Sequence, residues 1–164
     1  MLVKATSTDQ AKSGPIGSAV LWSLALVSVL VCLVAFSGGL LELVRRWSVQ
    51  EEYSHGFLIP FIAAWLLWTR RDVLAVSVGR PSWSGLALIL LAAAMQVVGK
   101  LSALSLLSQV GFIVALIGVV LSHGGYSLLK VTFIPIVFLL FAIPLPYVVD
   151  AALSLKLELI SSQL

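Results

Sequence analysis

The chain has 164 residues, of which 60% are hydrophobic and only 10% are charged. A soluble domain has about 45–50% apolar and about 25% charged residues, so this composition excludes a soluble globular domain and predicts a polytopic membrane protein. The net charge of +3 comes from basic residues scattered at segment ends, which argues against a nucleic-acid partner and for contact with membrane lipid. The single cysteine, Cys32, excludes an internal disulfide and a multi-cysteine metal site. We predict no cofactor and no metal.

Continuous apolar runs predict an all-α fold, a transmembrane helical bundle with about five complete spans and a truncated sixth. Residues 1–16 are expected to form a mobile, polar, cytoplasmic tail, and residues 17–164 a multispanning membrane domain that is incomplete at its carboxyl end. The runs lack the period-two alternation of barrel strands. The predicted spans are Gly17–Leu41, Phe57–Thr69, Trp83–Val98, Leu101–Leu121 and Leu128–Ile143, and the sixth begins near Val148.

The second predicted span, Phe57–Thr69, is short for a crossing of about 20 residues, so we expect its helix to begin nearer Tyr53. Lysine and arginine counts predict a cytoplasmic amino terminus, with six basic residues inside and four outside. The turn at residues 70–80 contributes most to this bias. This topology places Glu51–Pro60 and Pro144–Lys156 together on the outer face.

One polar patch, Glu51–Pro60, stands at the mouth of an apolar segment. Carboxylates and an imidazole in this position are suited to bind a cation, to transfer protons or to orient a peptide substrate. A solvated loop that ends a helix is the alternative interpretation. Gly56 and Pro60 favour a specified geometry, since proline is tolerated in the first turns of a helix. The candidates for a substrate cleft are Glu52, Tyr53, Ser54 and His55.

The patch and its flanks resemble the amino-terminal signature of the exosortases. The similar residues are Trp47, the run Glu52-Tyr53-Ser54-His55-Gly56-Phe57-Leu58-Ile59-Pro60, the run Trp65-Leu66-Leu67-Trp68, and a later Pro-x-Pro stretch, Phe141–Pro146. Exosortases are bacterial multispanning proteins that process proteins bearing a C-terminal PEP-CTERM sorting signal, often beside exopolysaccharide genes. The resemblance implies a cysteine protease or transpeptidase of the inner membrane, with PEP-CTERM proteins as its partners and thiolate attack on a peptide bond as its chemistry.

The catalytic cysteine, arginine and histidine of the family belong to later segments, and no position here matches their motifs. The catalytic set is therefore predicted to be absent from this chain, and we expect the chain by itself to be inactive. Cys32 lies mid-span among valines and leucines, with no cation or histidine within a helical turn. These surroundings disfavour the thiolate, so Cys32 is interpreted as a small packing residue.

Other polar or small residues have ordinary interpretations. His123 is predicted to be a solvated loop histidine in a Gly-Gly turn, and the stripe Gly111, Ala115 and Gly118 to pack helices within the chain. Arg45 and Arg46 are suited to hold a substrate carboxylate or a lipid phosphate, and interfacial anchoring is the alternative.

Two other functions stay open. The first is a transporter or flippase subunit for polysaccharide, which would need polar or ionisable groups along a path at mid-membrane depth. The predicted spans have no ionisable residue near their centres, which counts against this alternative. The second is a non-catalytic membrane scaffold that recruits partners.

Overall fold

The computed structural model describes residues 15–144. The α-helices are α1 (Pro15–Ala35), α2 (Ser37–Val49), α3 (Leu58–Thr69), α4 (Arg71–Val76), α5 (Trp83–Leu101) and α6 (Ser105–Phe138). The first 3-10 segment, Glu51–Phe57, follows α2, and the second 3-10 segment, Leu139–Ala142, follows α6. This part of the chain has no strand, so the all-α prediction is confirmed. Most of the predicted tail and the predicted sixth span lie outside the described residues.

Two stretches, Trp83–Leu101 and Ser105–Ala142, are long and apolar enough to cross a membrane. A third crossing is available if Trp22–Ala35 and Ser37–Val49 act as one bent pair, with an angle of 71° between them. The helix α3 has only 12 residues, about 18 Å at 1.5 Å per residue, against a hydrocarbon core of about 30 Å. Residues 15–144 have the architecture of a multi-pass membrane protein, and within them two or three stretches have spanning length, so the predicted count of five complete spans is not confirmed.

The first predicted span is broken rather than continuous. Phe36 leaves helical geometry with φ −97° and ψ 10°, and the two following glycines, at positions 38 and 39, have low helix propensity. After the break, α2 turns Gly39, Leu43 and Trp47 toward the bundle, at the four-residue spacing of a single helix face. Hydropathy alone does not register such a break, because the apolar run continues through it.

Two buried glutamines support this bend. The Nε2 of Gln96 donates to the carbonyl of Ala35 at 2.8 Å, and the Nε2 of Gln109 donates to the carbonyl of Gly39 at 3.3 Å. Ala35 is the last residue of α1, where helix carbonyls lose their intrahelical partners. Lipid offers no water to replace those partners, so the glutamine side chains stabilise the bend from α5 and α6.

The tightest helix pair is α5 against α6, and small residues make it possible. Ala92 and Ala115 are 1% and 2% exposed. A Cβ on Gly118 would lie 3.0 Å from the carbonyl oxygen of Gly85, and a Cβ on Gly111 would lie 3.1 Å from the ring of Phe36. The stripe of small residues therefore packs within the chain, as the sequence predicted.

The stretch Ser105–Ala142 reverses direction at Gly125, which has φ 63° and ψ −165° inside α6. At its start, the Arg46 guanidinium donates to the Ser105 hydroxyl at 3.3 Å. At its finish, the Trp47 indole N–H donates to the Ala142 carbonyl at 2.9 Å. Because adjacent residues of α2 hold both ends, the stretch runs away from α2 and returns to it. The predicted fourth and fifth spans correspond to the two arms of this stretch, which the count of spanning stretches takes as one.

The reversal gives the bundle two distinct ends. The Trp47 end comprises residues 42–57, 99–105 and 139–144, and the Gly125 end comprises residues 69–85 and 122–130. At the Gly125 end, the Gly79 N–H donates to the carbonyl of Gly124 at 2.9 Å, and the Ser82 N–H donates to that of Leu121 at 3.2 Å. The polar patch of the sequence lies at the Trp47 end, and the arginine-rich turn lies at the other.

Candidate functional site at the Trp47 end

The first 3-10 segment carries the predicted cleft residues. Ser54 and His55 are exposed, whereas Tyr53 is half-buried and packs against a cluster that includes Leu43 and Trp47. The Tyr53 and His55 rings are tilted, with centroids 6.5 Å apart. All four candidates thus lie on one short helical segment, Glu51–Phe57. The α-helix of the second predicted span begins at Leu58 rather than near Tyr53, and the residues around Tyr53 form a 3-10 segment that leads into it.

Trp47 holds this segment in place, a role that its part in the family resemblance did not predict. Its side chain is 6% exposed, and its ring meets that of Phe57 edge-on, with centroids 5.2 Å apart and planes at 67°. Gly56 lies directly against the indole, and a Cβ at this position would come within 2.6 Å of Cε2. Glycine is therefore required at position 56 by close approach, which explains its place after the exposed histidine.

The second 3-10 segment meets the same tryptophan from the other side. Ala142 is 5% exposed and accepts the Trp47 hydrogen bond, and Pro144 is buried. The structure thus brings the start of the Phe141–Pro146 stretch beside the Tyr53–His55 segment. The rest of the predicted outer loop, to Lys156, lies outside the described residues.

The two arginines beside this site have different surroundings. Arg46 bonds Glu42 at 3.3 Å and also Ser105, so it ties α2 to the start of α6. Arg45 is exposed and, within residues 15–144, has no such tie to another helix; it lines a cavity of about 190 Å3 together with Arg46, Glu42, Val49 and Gln50. Arg46 is accordingly a structural residue, and the choice between ligand binding and anchoring stays open for Arg45.

Neither Cys32 nor His123 belongs to this site. Cys32 is buried in an apolar cluster with Phe36 and Ala92, the packing position that the sequence predicted. His123 is half-buried within α6 rather than solvated in a loop: its Nδ1 lies 2.8 Å from the Val119 carbonyl and its Nε2 lies 3.4 Å from the Ser28 hydroxyl. The two glycines that follow His123 indicated a turn there, but α6 continues through His123 and leaves helical geometry at Gly125.

The chemistry available at the Trp47 end is that of binding and orientation. An exposed hydroxyl and an exposed imidazole stand on the first 3-10 segment, close to the buried Pro144. A histidine in this setting can donate or accept a hydrogen bond to a peptide. The contact between Trp47 and Gly56 was not predicted. Its sequence signal was a tryptophan just before the polar patch and a glycine within it.

Comparison with known proteins assigns the chain to a family. A sequence model described as transmembrane exosortase matches residues 47–164, which is more than half of the chain. The match begins at Trp47 and includes both 3-10 segments. Searches of curated proteins and of solved structures found no significant match. This chain belongs to the transmembrane exosortase family.

Proposed function

We propose that the chain provides the amino-terminal helices of an exosortase that processes proteins with a C-terminal PEP-CTERM sorting signal. The Trp47 end would form part of its substrate cleft. One observation supports this assignment above the others: the Tyr53–Pro60 block and the start of the Phe141–Pro146 stretch, which carry the family resemblance, meet around the Trp47 indole. Residues about 90 positions apart in the sequence are held together there.

In this proposal Ser54 and His55 contact the substrate peptide, and Tyr53 supports them from its half-buried position. The thiolate chemistry that the family resemblance implies is not assigned to any residue of this chain. The cleft residues act in binding and orientation, which place the scissile bond for attack by a nucleophile.

The proposed topology has five passes before a sixth segment, with the Gly125 end in the cytoplasm of a bacterial cell and the Trp47 end outside the inner membrane. The cations at the Gly125 end are Arg70, Arg71, Arg80 and Lys130, and those of the described residues at the Trp47 end are Arg45, Arg46 and Lys100. The Gly125 end has one acid, Asp72, and the Trp47 end has three, which are Glu42, Glu51 and Glu52. The larger number of cations at the Gly125 end favours its cytoplasmic placement.

Cysteine labelling tests this topology. In a variant with Cys32 replaced by serine, Ser54→Cys should react with a membrane-impermeant maleimide added to intact spheroplasts. Asp72→Cys, whose side chain is 93% exposed in the native protein, should react only after the membrane is opened. The reverse pattern would invert the topology and remove the cleft from the outer face.

The two histidines provide a matched test of the cleft. His55→Ala in the full exosortase should lower cleavage of a PEP-CTERM reporter by about tenfold or more, as expected when a positioning contact is lost, with little change in membrane abundance. His123→Ala removes an equally large side chain from the Gly125 end and should lower cleavage no more than it lowers abundance. Equal losses of cleavage and abundance for His55→Ala would assign the patch a structural role only.

Cys32 should be dispensable for processing. Cys32→Ala removes one sulfur atom from an apolar cluster, a change of about 1 kcal/mol in stability. Cleavage of the reporter by the full exosortase should therefore continue at a rate close to that of the native protein. Loss of all cleavage at normal membrane abundance would instead identify Cys32 as a nucleophile.

The transporter alternative receives no support from the described part of the chain. Its buried polar side chains are Gln96, Ser108, Gln109 and Thr132, none of which ionises. The glutamines and the threonine bond to backbone carbonyls of their own bundle. These groups stabilise helices rather than line a path.

A further inference from the structure

An apolar groove of about 570 Å3 lies at the Gly125 end, away from the proposed cleft. Three helices line it: Trp22 comes from α1, Leu67 and Trp68 from α3, and Arg71, Asp72 and Leu74 from α4. All three helices pack against α6. We call it the Trp22–Trp68 groove.

The aromatic residues of the groove stand where a bilayer interface is expected. Trp22 is 44% exposed and Trp68 is 68% exposed, although both are large and apolar. Trp68 directly precedes the polar turn that begins at Thr69 and contains Arg70. Tryptophans at this depth have one face toward acyl chains and an N–H toward headgroups. The groove therefore extends from the hydrocarbon region to the headgroup region.

A cation stands at the polar end of the groove. The Arg71 guanidinium carbon is 5.1 Å from the ring centroid of Trp68, within the range of a cation–π contact. Its nearest acid is Asp72, at 3.9 Å from Nε, which is too far for a hydrogen bond. Such an exposed pair interacts weakly, so Arg71 keeps most of its capacity to bind an anion. Arg70 and Arg80 add positive charge at the same end.

We propose that the Trp22–Trp68 groove binds one acidic phospholipid of the leaflet that the Gly125 end faces. An acyl chain lies along Ala64 and Leu67, and the headgroup phosphate accepts hydrogen bonds from Arg71. Apolar walls and a forked donor are complementary to the two parts of this ligand. Basic pockets between transmembrane helices bind anionic headgroups in the same way.

Native mass spectrometry of the purified chain in detergent micelles tests the site. Added phosphatidylglycerol should remain bound after activation, whereas phosphatidylcholine should dissociate, and sodium phosphate should not displace the bound lipid. Arg71→Gln should reduce the retained phosphatidylglycerol by about fivefold, the contribution of one basic residue near an anionic headgroup. Arg80→Gln is the matched control, because it removes the same charge from the same end without lining the groove, and it should leave retention largely unchanged.

A second variant tests the apolar part of the ligand. Ala64→Trp fills the groove and should lower retention while the charge stays constant. Equal retention of phosphatidylglycerol and phosphatidylcholine, or equal losses for Arg71→Gln and Arg80→Gln, would show nonspecific surface attraction and overturn the proposal. Lipid binding that occurs only after deletion of residues 2–14 would show that the chain's own amino-terminal segment occupies the groove, and this result would overturn it as well.

Discussion

Trp47→Ala is expected to separate the two 3-10 segments and to abolish processing of a PEP-CTERM reporter by the full exosortase. Truncation of a buried tryptophan costs roughly 3–5 kcal/mol in protein cores. Here it empties the space between Gly56 and Phe57 and also leaves the Ala142 carbonyl without its donor, which adds about 1–3 kcal/mol when the group is buried. Because the lipid around the bundle is itself apolar, transfer of the side chain out of water contributes little. The cavity and the lost hydrogen bond therefore account for most of the destabilisation.

Two further variants separate the contributions to this effect. Trp47→Phe keeps a ring beside Gly56 but removes the N–H, so it should lose about 1–3 kcal/mol and retain part of the activity. Trp83→Ala removes the same side chain from a site that is 86% exposed, and it should leave the fold intact. The free energy of unfolding in mixed micelles and reporter cleavage are the two measurements. Similar losses for Trp47→Ala and Trp83→Ala would show that Trp47 does not anchor the site.

Much of the helical fold followed from the sequence, because apolar runs and their breaks are local signals. The start of α5 at Trp83 was predicted correctly, and the glycines after Ser122 correctly indicated a reversal. The bend at Phe36 was not predicted. It is supported by hydrogen bonds from Gln96 and Gln109, about 60 to 70 positions later in the chain. A hydropathy pattern describes neighbouring residues only, so it cannot predict such distant hydrogen bonds.

The candidate site shows the same division between local and distant information. Its polar residues were identified from composition, since Tyr53, Ser54 and His55 interrupt an apolar sequence. Its geometry depends on the contact of Trp47 with Ala142, which are 95 residues apart. A buried tryptophan has the same sequence signature as an interfacial one, so only the fold distinguishes Trp47 from Trp83. The resemblance to exosortases identified the two stretches but did not state what joins them.

Among glycine-to-alanine substitutions in the described part of the chain, Gly125→Ala is expected to destabilise the fold most. Gly125 has φ 63° and ψ −165°, a region that is essentially confined to glycine and costs other residues about 1–3 kcal/mol. A Cβ there would also overlap the carbonyl oxygen of Arg80. Because the overlapping atom belongs to the backbone, it cannot move aside as the end of a flexible side chain could. The combined loss should be about 3 kcal/mol or more.

Gly38→Ala makes the same chemical change where the structure leaves room for it. Gly38 lies in α2, and a Cβ would meet nothing within 4 Å. Alanine is favoured over glycine within a helix by about 0.5–1 kcal/mol, so this variant should unfold at the same or a slightly higher denaturant concentration. Gly125→Ala should unfold much earlier, and it should also lose reporter cleavage, because the reversal at Gly125 returns Ala142 to Trp47. If both variants unfold together, the sharp turn at Gly125 is not a feature of the folded protein, and the two arms of α6 form one continuous helix.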